Sequence, residues 1–252
     1  MKLKLDYTSF INKAKSLCKG RVYTSYLMRY ALGTDASCYS YTPRVAIRAN
    51  DESEVIALLK LAKTCQTPVT FRAAGTSLSG QSSSDSILII ANDGFKGIEL
   101  MQNGEVIECE CGVIGCDANA ALAEFGKKIG PDPATINSAL IGGIFNNNSS
   151  GMCCGVEQNS YNTIHSVRAV LLDGTIIDTA DNESVKAFEN SHPQMCKELK
   201  ALHAQIQNDE ELKALIAKKY KIKNTTGYSI NALADFGEIK DILNHLFIGS
   251  EG

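Results

Sequence analysis

The stretch Arg72-Ala73-Ala74-Gly75-Thr76-Ser77-Leu78-Ser79-Gly80-Gln81 decides the fold. It follows a short β-branched run, Pro68-Val69-Thr70-Phe71, and precedes a second one, Ile87-Leu88-Ile89-Ile90. Small residues between two strands of buried type make a poor hydrophobic connection and a good cradle for an anion. Successive backbone N–H groups can converge on it, and Ser and Thr hydroxyls add donors. Diphosphate is the commonest anion that needs so many donors at once. Composition alone leaves a flexible surface loop as an equal alternative. The pattern is no Walker loop, because no Gly-Lys-Ser/Thr is present. It is no Rossmann fingerprint either, because no Gly-x-Gly-x-x-Gly opens a helix.

N-terminal to this loop, helices are predicted over 7–19 and 23–32, then a loop at Thr34-Asp35-Ala36-Ser37 and a strand at 45–48. Asn50-Asp51-Glu52-Ser53-Glu54 supplies cap residues and an acidic first turn to a helix with Val55, Leu58, Leu59 and Ala62 on one face. Strand, helix, strand and glycine-rich loop together make a βαβ unit with a phosphate-type loop at its carboxyl edge. Downstream, Asn103-Gly104 signals a hairpin leading into an alternating strand over 106–113. A helix over 116–125 follows, with Ala118, Ala121, Leu122 and Phe125 on its buried side.

Gly130-Pro131-Asp132-Pro133 is rigid and fits neither helix nor strand. Ile141-Gly142-Gly143 and Asn146-Asn147-Asn148-Ser149-Ser150-Gly151 read as a long loop. Bracketed by ordered apolar segments, such a loop points to function, its Asn side chains and Gly backbone suiting phosphate or ribose. A second hairpin is predicted across Asp173-Gly174, and residues 183–247 are mostly helical. Phe247-Ile248 reads as the start of an apolar strand running to Gly252, whose sheet partner is missing. The expected organisation is an N-terminal helical segment at 1–40, a first lobe at 41–101 and a second at 102–252.

The 252 residues are 44% hydrophobic and 21% charged, ordinary for a globular α+β chain. A net charge of -3 implies no basic face and argues against nucleic acid as a partner. No apolar run approaches membrane-spanning length, and Met1-Lys2-Leu3-Lys4-Leu5-Asp6 has no apolar signal region. A cytoplasmic protein is expected. Nine cysteines, an odd number without Cys-x-x-Cys spacing, speak against a disulfide framework or a metal cluster. Cys109 and Cys111 read as small core hydrophobes.

The loop at 72–81 resembles the diphosphate loop of the FAD-binding fold shared by vanillyl-alcohol oxidase, the reductase MurB and the flavin D-lactate dehydrogenases. Five other stretches extend the resemblance over nearly the whole chain, among them Pro131-Asp132-Pro133, which resembles the segment that approaches the flavin. Arg29-Tyr30-Ala31-Leu32-Gly33-Thr34-Asp35-Ala36-Ser37 is similar to the leading segment of the D-lactate dehydrogenase branch. Ile141-Gly142-Gly143 through Gly151 resembles its Gly-Gly-x-x-x-Asn-Asn-Ala-Ser-Gly loop. Thr225-Thr226-Gly227-Tyr228 and Gly249-Ser250-Glu251-Gly252 also match. The chain thus resembles the PCMH-type FAD-binding domain of the flavin D-lactate dehydrogenase and glycolate oxidase subunit family. Met152-Cys153-Cys154-Gly155 looks like the branch fused to a C-terminal iron–sulfur module.

The resemblance implies an α+β fold of two lobes with FAD between them. Arg72, Ala73, Ala74, Gly75, Thr76, Ser77, Ser79, Gly80 and Gln81 would wrap the diphosphate. Pro131, Asp132, Gly142, Gly143, Asn148, Ser149 and Gly151 would line the ribityl and ring, and backbone near Ile164 would meet the adenine. Cys153 and Cys154 would be wall residues rather than redox thiols. Covalent relatives carry His where Thr76 stands, so non-covalent FAD is expected. The family implies a small 2-hydroxy-acid substrate and an iron–sulfur or quinone acceptor. It also implies a substrate domain after this chain and, in the full-length protein, the option of peripheral attachment at the inner membrane. His165, His192, His203 and His245 read as structural, Asp35 as a possible loop anchor, and no catalytic residue is assigned. The rivals are a MurB-like NADPH-dependent nucleotide-sugar reductase and a nucleotide-binding module without chemistry.

Overall fold

The computed structural model describes residues 5–251. The readings made on Met1-Lys2-Leu3-Lys4 and on Gly252 lie outside them. Three parallel β-branched strands form the centre of the first lobe: β2 (Val45–Ala49), β3 (Val69–Arg72) and β4 (Ile87–Ala91). β4 lies between the other two, pairing Ile47 with Ile89 on one side and Phe71 with Ile89 on the other. β1 (Val22–Tyr23) adds an antiparallel edge to β2. Pairing of Val22 and Tyr23 with β2 is what shortens the predicted second helix, which begins only at Tyr26 and runs to Ala31 as α2.

One sheet face is covered by α1 (Tyr7–Leu17) and α3 (Glu52–Cys65), which bury Phe10, Ala14, Leu58 and Leu59 against Ile47, Ile87 and Ile89. Burial of such side chains contributes about 1.5–3 kcal/mol each. Asp51 caps α3, its carboxylate accepting from the Glu54 amide. The other face buries Ala46, Leu88 and Ile90 beneath Tyr23 and Leu32. α1 and β1, both within the expected N-terminal segment, pack into this core, so the described part of that segment sits with the first lobe.

The hairpin of β5 (Ile98–Met101) and β6 (Val106–Cys109) turns at Asn103 and Gly104, both left-handed, as their sequence requires. A boundary after residue 101 would cut this hairpin. β6 ends at Cys109, four residues short of the predicted strand, and Phe125 is 37% exposed rather than buried. α4 (Gly115–Leu122) and α5 (Ile141–Asn147) follow. α5 occupies what reads in sequence as loop. Gly and Asn have poor helix propensity, but a buried Ile144 and a left-handed Asn148 at the C-cap overrule it.

After α6 (Ser160–Thr163), a short hairpin of β7 (Arg168–Val170) and β8 (Ile176–Asp178) rests on α3, with Arg168 forking onto Glu52. The helices α7 (Asn182–Ser191), α8 (Pro193–Gln207), α9 (Glu210–Tyr220), α10 (Ala232–Asp235) and α11 (Ile239–Leu246) enclose two small cores around Phe188 and Ile242. Phe247 closes α11, and the turn after it buries Ile248 completely, so no strand starts there among the described residues.

Candidate functional site

A cleft of about 2590 Å³ runs between the lobes. That exceeds the roughly 300–1,000 Å³ of ordinary small-molecule pockets and suits an extended ligand.

The first wall is the loop after β3. Gly75 (φ +74°) and Gly80 (φ +81°) hold left-handed conformations that other residues reach only with strain. Tyr39 packs against Gly80, where a Cβ would come within 2.7 Å of its ring. Among the described residues, the main-chain amides from Ala74 to Ser82 donate to no protein acceptor; the first that does is Ser83, to Gly80 O. Backbone donors this numerous in one loop make a nest for an anion.

The loop is clamped from below by residues of the α2–β2 connection. Asp35 Oδ1 accepts from the Ser37 amide at 2.9 Å and from Ser37 Oγ at 2.5 Å, and Oδ2 accepts from Ser82 Oγ at 2.9 Å. Burial opposes the charge of Asp35, but the bonds from Ser37 and then Ser82 outweigh it and hold the carboxyl below its usual pKa. The Ala36 amide adds a bond to Gly75 O. Asp35 is thus a loop anchor. Arg72 does not reach out to the cleft with its whole fork. Its Nη1 donates to Leu32 O at 2.6 Å, and its guanidinium folds under Gly75, where a Cβ would meet it at 2.4 Å. Burial lowers its pKa, with the Asp35 charge opposing. Arg72 therefore places positive charge under the loop.

The second wall is α5 and its C-terminal turn. Gly142 lies so close to Cys111 that a Cβ would meet Cys111 Cβ at 2.7 Å, and a Cβ on Gly143 would touch Ala73 of the opposite wall at 3.3 Å. Here the amides of Asn148 and Ser149 are spent within the protein, on Phe145 O and Ile144 O, whereas those of Ser150 and Gly151 meet no acceptor among the described residues. The turn also presents side chains to the cleft. Gly151 is pressed onto the Gly130–Pro133 segment, where a Cβ would lie 1.7 Å from Asp132 O.

Of the residues marked in sequence, Arg72, Ala73, Ala74, Gly75, Thr76, Ser77, Ser79, Gln81, Pro131, Gly142, Gly143, Ser149, Gly151 and Ile164 line the cleft. Three do not. Gly80 stands behind its neighbours against Tyr39. Asp132 turns away to pair with Lys128 at 3.0 Å. Asn148, buried and left-handed, donates to Asn224 O and borders a separate cavity of about 250 Å³. Cys153 is exposed and Cys154 is buried with its thiol on Gly151 O, so neither forms the wall. Cys109 and Cys111 are not core residues but half-buried linings of the cleft, and burial pushes each thiol up to about 11. They are therefore protonated and inert at neutral pH.

Sequence reasoning missed the lining residues Lys223 and Glu251. Among the cleft cations, Lys127, Lys128 and Arg168 each face a carboxylate, whereas Lys223 donates to Ser150 O at 2.7 Å. No local pattern reveals the Lys223 contact, because it is made across more than seventy residues of chain. Of the histidines, His165 alone lines the cleft; His192, His203 and His245 bind Asp173, Leu233 O and Asp241 O respectively.

Residues 43–180, more than half of the chain, match the model of the FAD binding domain family. The chain belongs to this family, whose cofactor is FAD, and the amide-lined loop facing the Asn turn fits such a dinucleotide. Among curated proteins it is similar to the D-2-hydroxyglutarate dehydrogenase of Haemophilus influenzae, 29% identical over 93% of this chain and 24% of that protein. The Escherichia coli protein of that name is 26% identical over 92% of the chain and 23% of the protein. The D-lactate dehydrogenase of Archaeoglobus fulgidus is 28% identical over 58% and 32%. The chain thus spans about a quarter of the length of the D-2-hydroxyglutarate dehydrogenases it matches. The fold is shared with an alkyldihydroxyacetonephosphate synthase (TM-score 0.60, 16% identity, 71% of this chain and 36% of that one). It is shared as well with 6-hydroxy-D-nicotine oxidase from Arthrobacter nicotinovorans (TM-score 0.55, 17% identity, 64% and 35%). The expected two-lobed α+β FAD-binding fold is the one observed.

Proposed function

We propose that this chain is the FAD-binding portion of a flavin-dependent 2-hydroxy-acid dehydrogenase that passes electrons on to an iron–sulfur or quinone acceptor. The observation that carries the reading is the pairing of free amides at 74–82 with the side chains of the α5 turn across one cleft, in a chain whose curated relatives are named for 2-hydroxy-acid oxidation. Bound FAD would supply the two-electron acceptor for hydride leaving the substrate Cα. Ala74 to Ser82 would hold its diphosphate through main-chain N–H groups, with Arg72 contributing charge from beneath and Asp35 fixing the loop. Ala73, Pro131, Gly142, Gly143, Ser149, Gly151 and Ile164 would shape the walls along the rest of the cofactor. Asn148 would act from behind, fixing the turn rather than touching it. The base for the hydroxyl proton is not assigned to any residue of this chain.

Attachment is non-covalent in this reading, since Thr76 offers no imidazole to the ring. Denaturing the flavin-loaded protein in acid releases all of its flavin; flavin retained on the polypeptide contradicts this. A cytoplasmic location goes with the reading, with peripheral attachment at the inner membrane as the option for the full-length protein. Among the described residues no helix is long and apolar enough to cross a membrane. The function is tested by mixing the full-length protein with D- and L-2-hydroxy acids under anaerobic conditions. Bleaching of the flavin band by a D-2-hydroxy acid is expected. Bleaching by NADPH and by no hydroxy acid would select a nucleotide-sugar reductase instead.

A further inference from the structure

Residues from motifs far apart in sequence meet at one carboxylate. Glu251 Oε1 accepts from Asn147 Nδ2 at 2.6 Å and from Gln81 Nε2 at 3.4 Å. Gln81 ends the amide-lined loop, Asn147 ends α5, and Glu251 belongs to neither wall. The segment that carries it is fastened to the last turn of α5. Gly249 N donates to Phe145 O at 3.3 Å, Glu251 N to Asn146 O at 2.9 Å, and Ser250 Oγ to Asn146 Oδ1 at 3.0 Å. Glu251 itself is left-handed (φ +65°), a conformation that a residue with a side chain keeps only where its surroundings impose it.

A carboxylate only accepts, so both amide side chains must turn their NH₂ groups toward it. The orientation of Asn147 is thereby decided, and its Oδ1 faces the other way. There it accepts from Ser149 Oγ at 3.0 Å. The one hydroxyl proton of Ser149 is committed to Asn147, and Ser149 lines the cleft. What it offers a ligand is its lone pairs. A phosphate oxygen finds no donor in Ser149, whereas a ligand hydroxyl or ring N–H does find an acceptor.

We propose that Glu251 is the positioning residue that joins the two cleft walls and sets the hydrogen-bond polarity at Ser149, so that this wall receives a donor group of FAD, a ribityl hydroxyl or the ring N–H. The part concerning FAD rests on the function proposed above; the joining of the walls does not. Two measurements on the full chain separate them. FAD dissociation constants come from flavin fluorescence quenching, and a thermal-unfolding cycle pairs Glu251→Ala with Asn147→Ala without flavin. Glu251→Ala weakens FAD about tenfold, the loss associated with a hydrogen bond to a charged group, and Glu251→Gln recovers only part of it. In the flavin-free cycle the double variant melts no lower than the worse single variant, because each change breaks the same contact. An FAD constant for Glu251→Ala within twofold of the parent overturns the polarity claim, and additive melting shifts overturn the bridge. If the parent binds no flavin, the FAD reading itself fails and the cycle still decides the bridge.

Discussion

The two walls of the cleft solve the same problem in opposite ways. The loop over 74–82 keeps its backbone donors unspent and uses side chains, Asp35 and Arg72, only to hold its shape from behind. The α5 turn spends the backbone donors of Asn148 and Ser149 on itself and presents the side chains of Asn147 and Ser149, oriented by Glu251. A wall that binds through its backbone tolerates side-chain changes but not changes of conformation. A wall that binds through side chains tolerates neither. The difference tells which substitutions will matter, and it can be broken by experiment.

The largest effect is expected at Gly151. A Cβ there would lie 1.7 Å from Asp132 O, a backbone atom that cannot step aside without moving the Gly130–Pro133 segment. Gly151→Ala should abolish flavin retention and lower the melting temperature by several degrees, as an overpacked site costing about 1–3 kcal/mol would. Unchanged flavin content would show that this segment does not shape the wall. Next comes Asn147→Ala, expected to weaken FAD about tenfold by freeing Ser149 and Glu251 together. Thr76→Ala and Ser77→Ala should each weaken FAD less than about threefold, since amides, not hydroxyls, carry that wall. The contrast collapses if Thr76→Ala or Ser77→Ala costs as much as Asn147→Ala.

The smallest predicted effect lies away from the cleft and tests the frame that carries the loop. Arg21 forks onto Glu54 at 2.5 and 2.7 Å, joining the β1 edge to α3, and these bonds hold the Glu54 carboxyl below its usual pKa against the opposing effect of burial. A depressed carboxyl pKa stabilises the fold above the unfolded value of about 4.3, and that contribution is lost as pH falls through the folded value. Glu54→Gln should cost about 1 kcal/mol at pH 7, and that cost should shrink steadily as pH falls below the unfolded value, measured by urea unfolding over a series of acid pH values. A cost independent of pH would mean that packing, not charge, is what the pair contributes.

Much of this was legible before any coordinates. The β-branched runs at 45–49, 69–72 and 87–91 announce buried parallel strands, and the small residues between the last two announce an anion loop. Asn103-Gly104 fixes its hairpin because both residues tolerate left-handed backbone. The Gly-Gly-Asn segment reads as loop because propensity is local, whereas the burial of Ile144 that makes α5 helical comes from elsewhere in the fold. Cys109 and Cys111 alternate as core residues do, yet the face they share turns out to be the cleft. Asn148 and Asn147 are indistinguishable as letters; a left-handed cap sends one behind the wall and leaves the other in it. Glu251 was invisible as a site residue because its partners lie more than a hundred residues upstream.

In the proposed function, the main-chain N–H groups of residues 74–82 hold the diphosphate of FAD. Amide hydrogen exchange on the ¹⁵N-labelled protein, with and without FAD, tests it directly. The predicted result is that these amides, unprotected by any protein acceptor, become strongly protected when flavin binds, while those of Asn148 and Ser149 change little. Flavin that binds and leaves the exchange of 74–82 unaltered would contradict it.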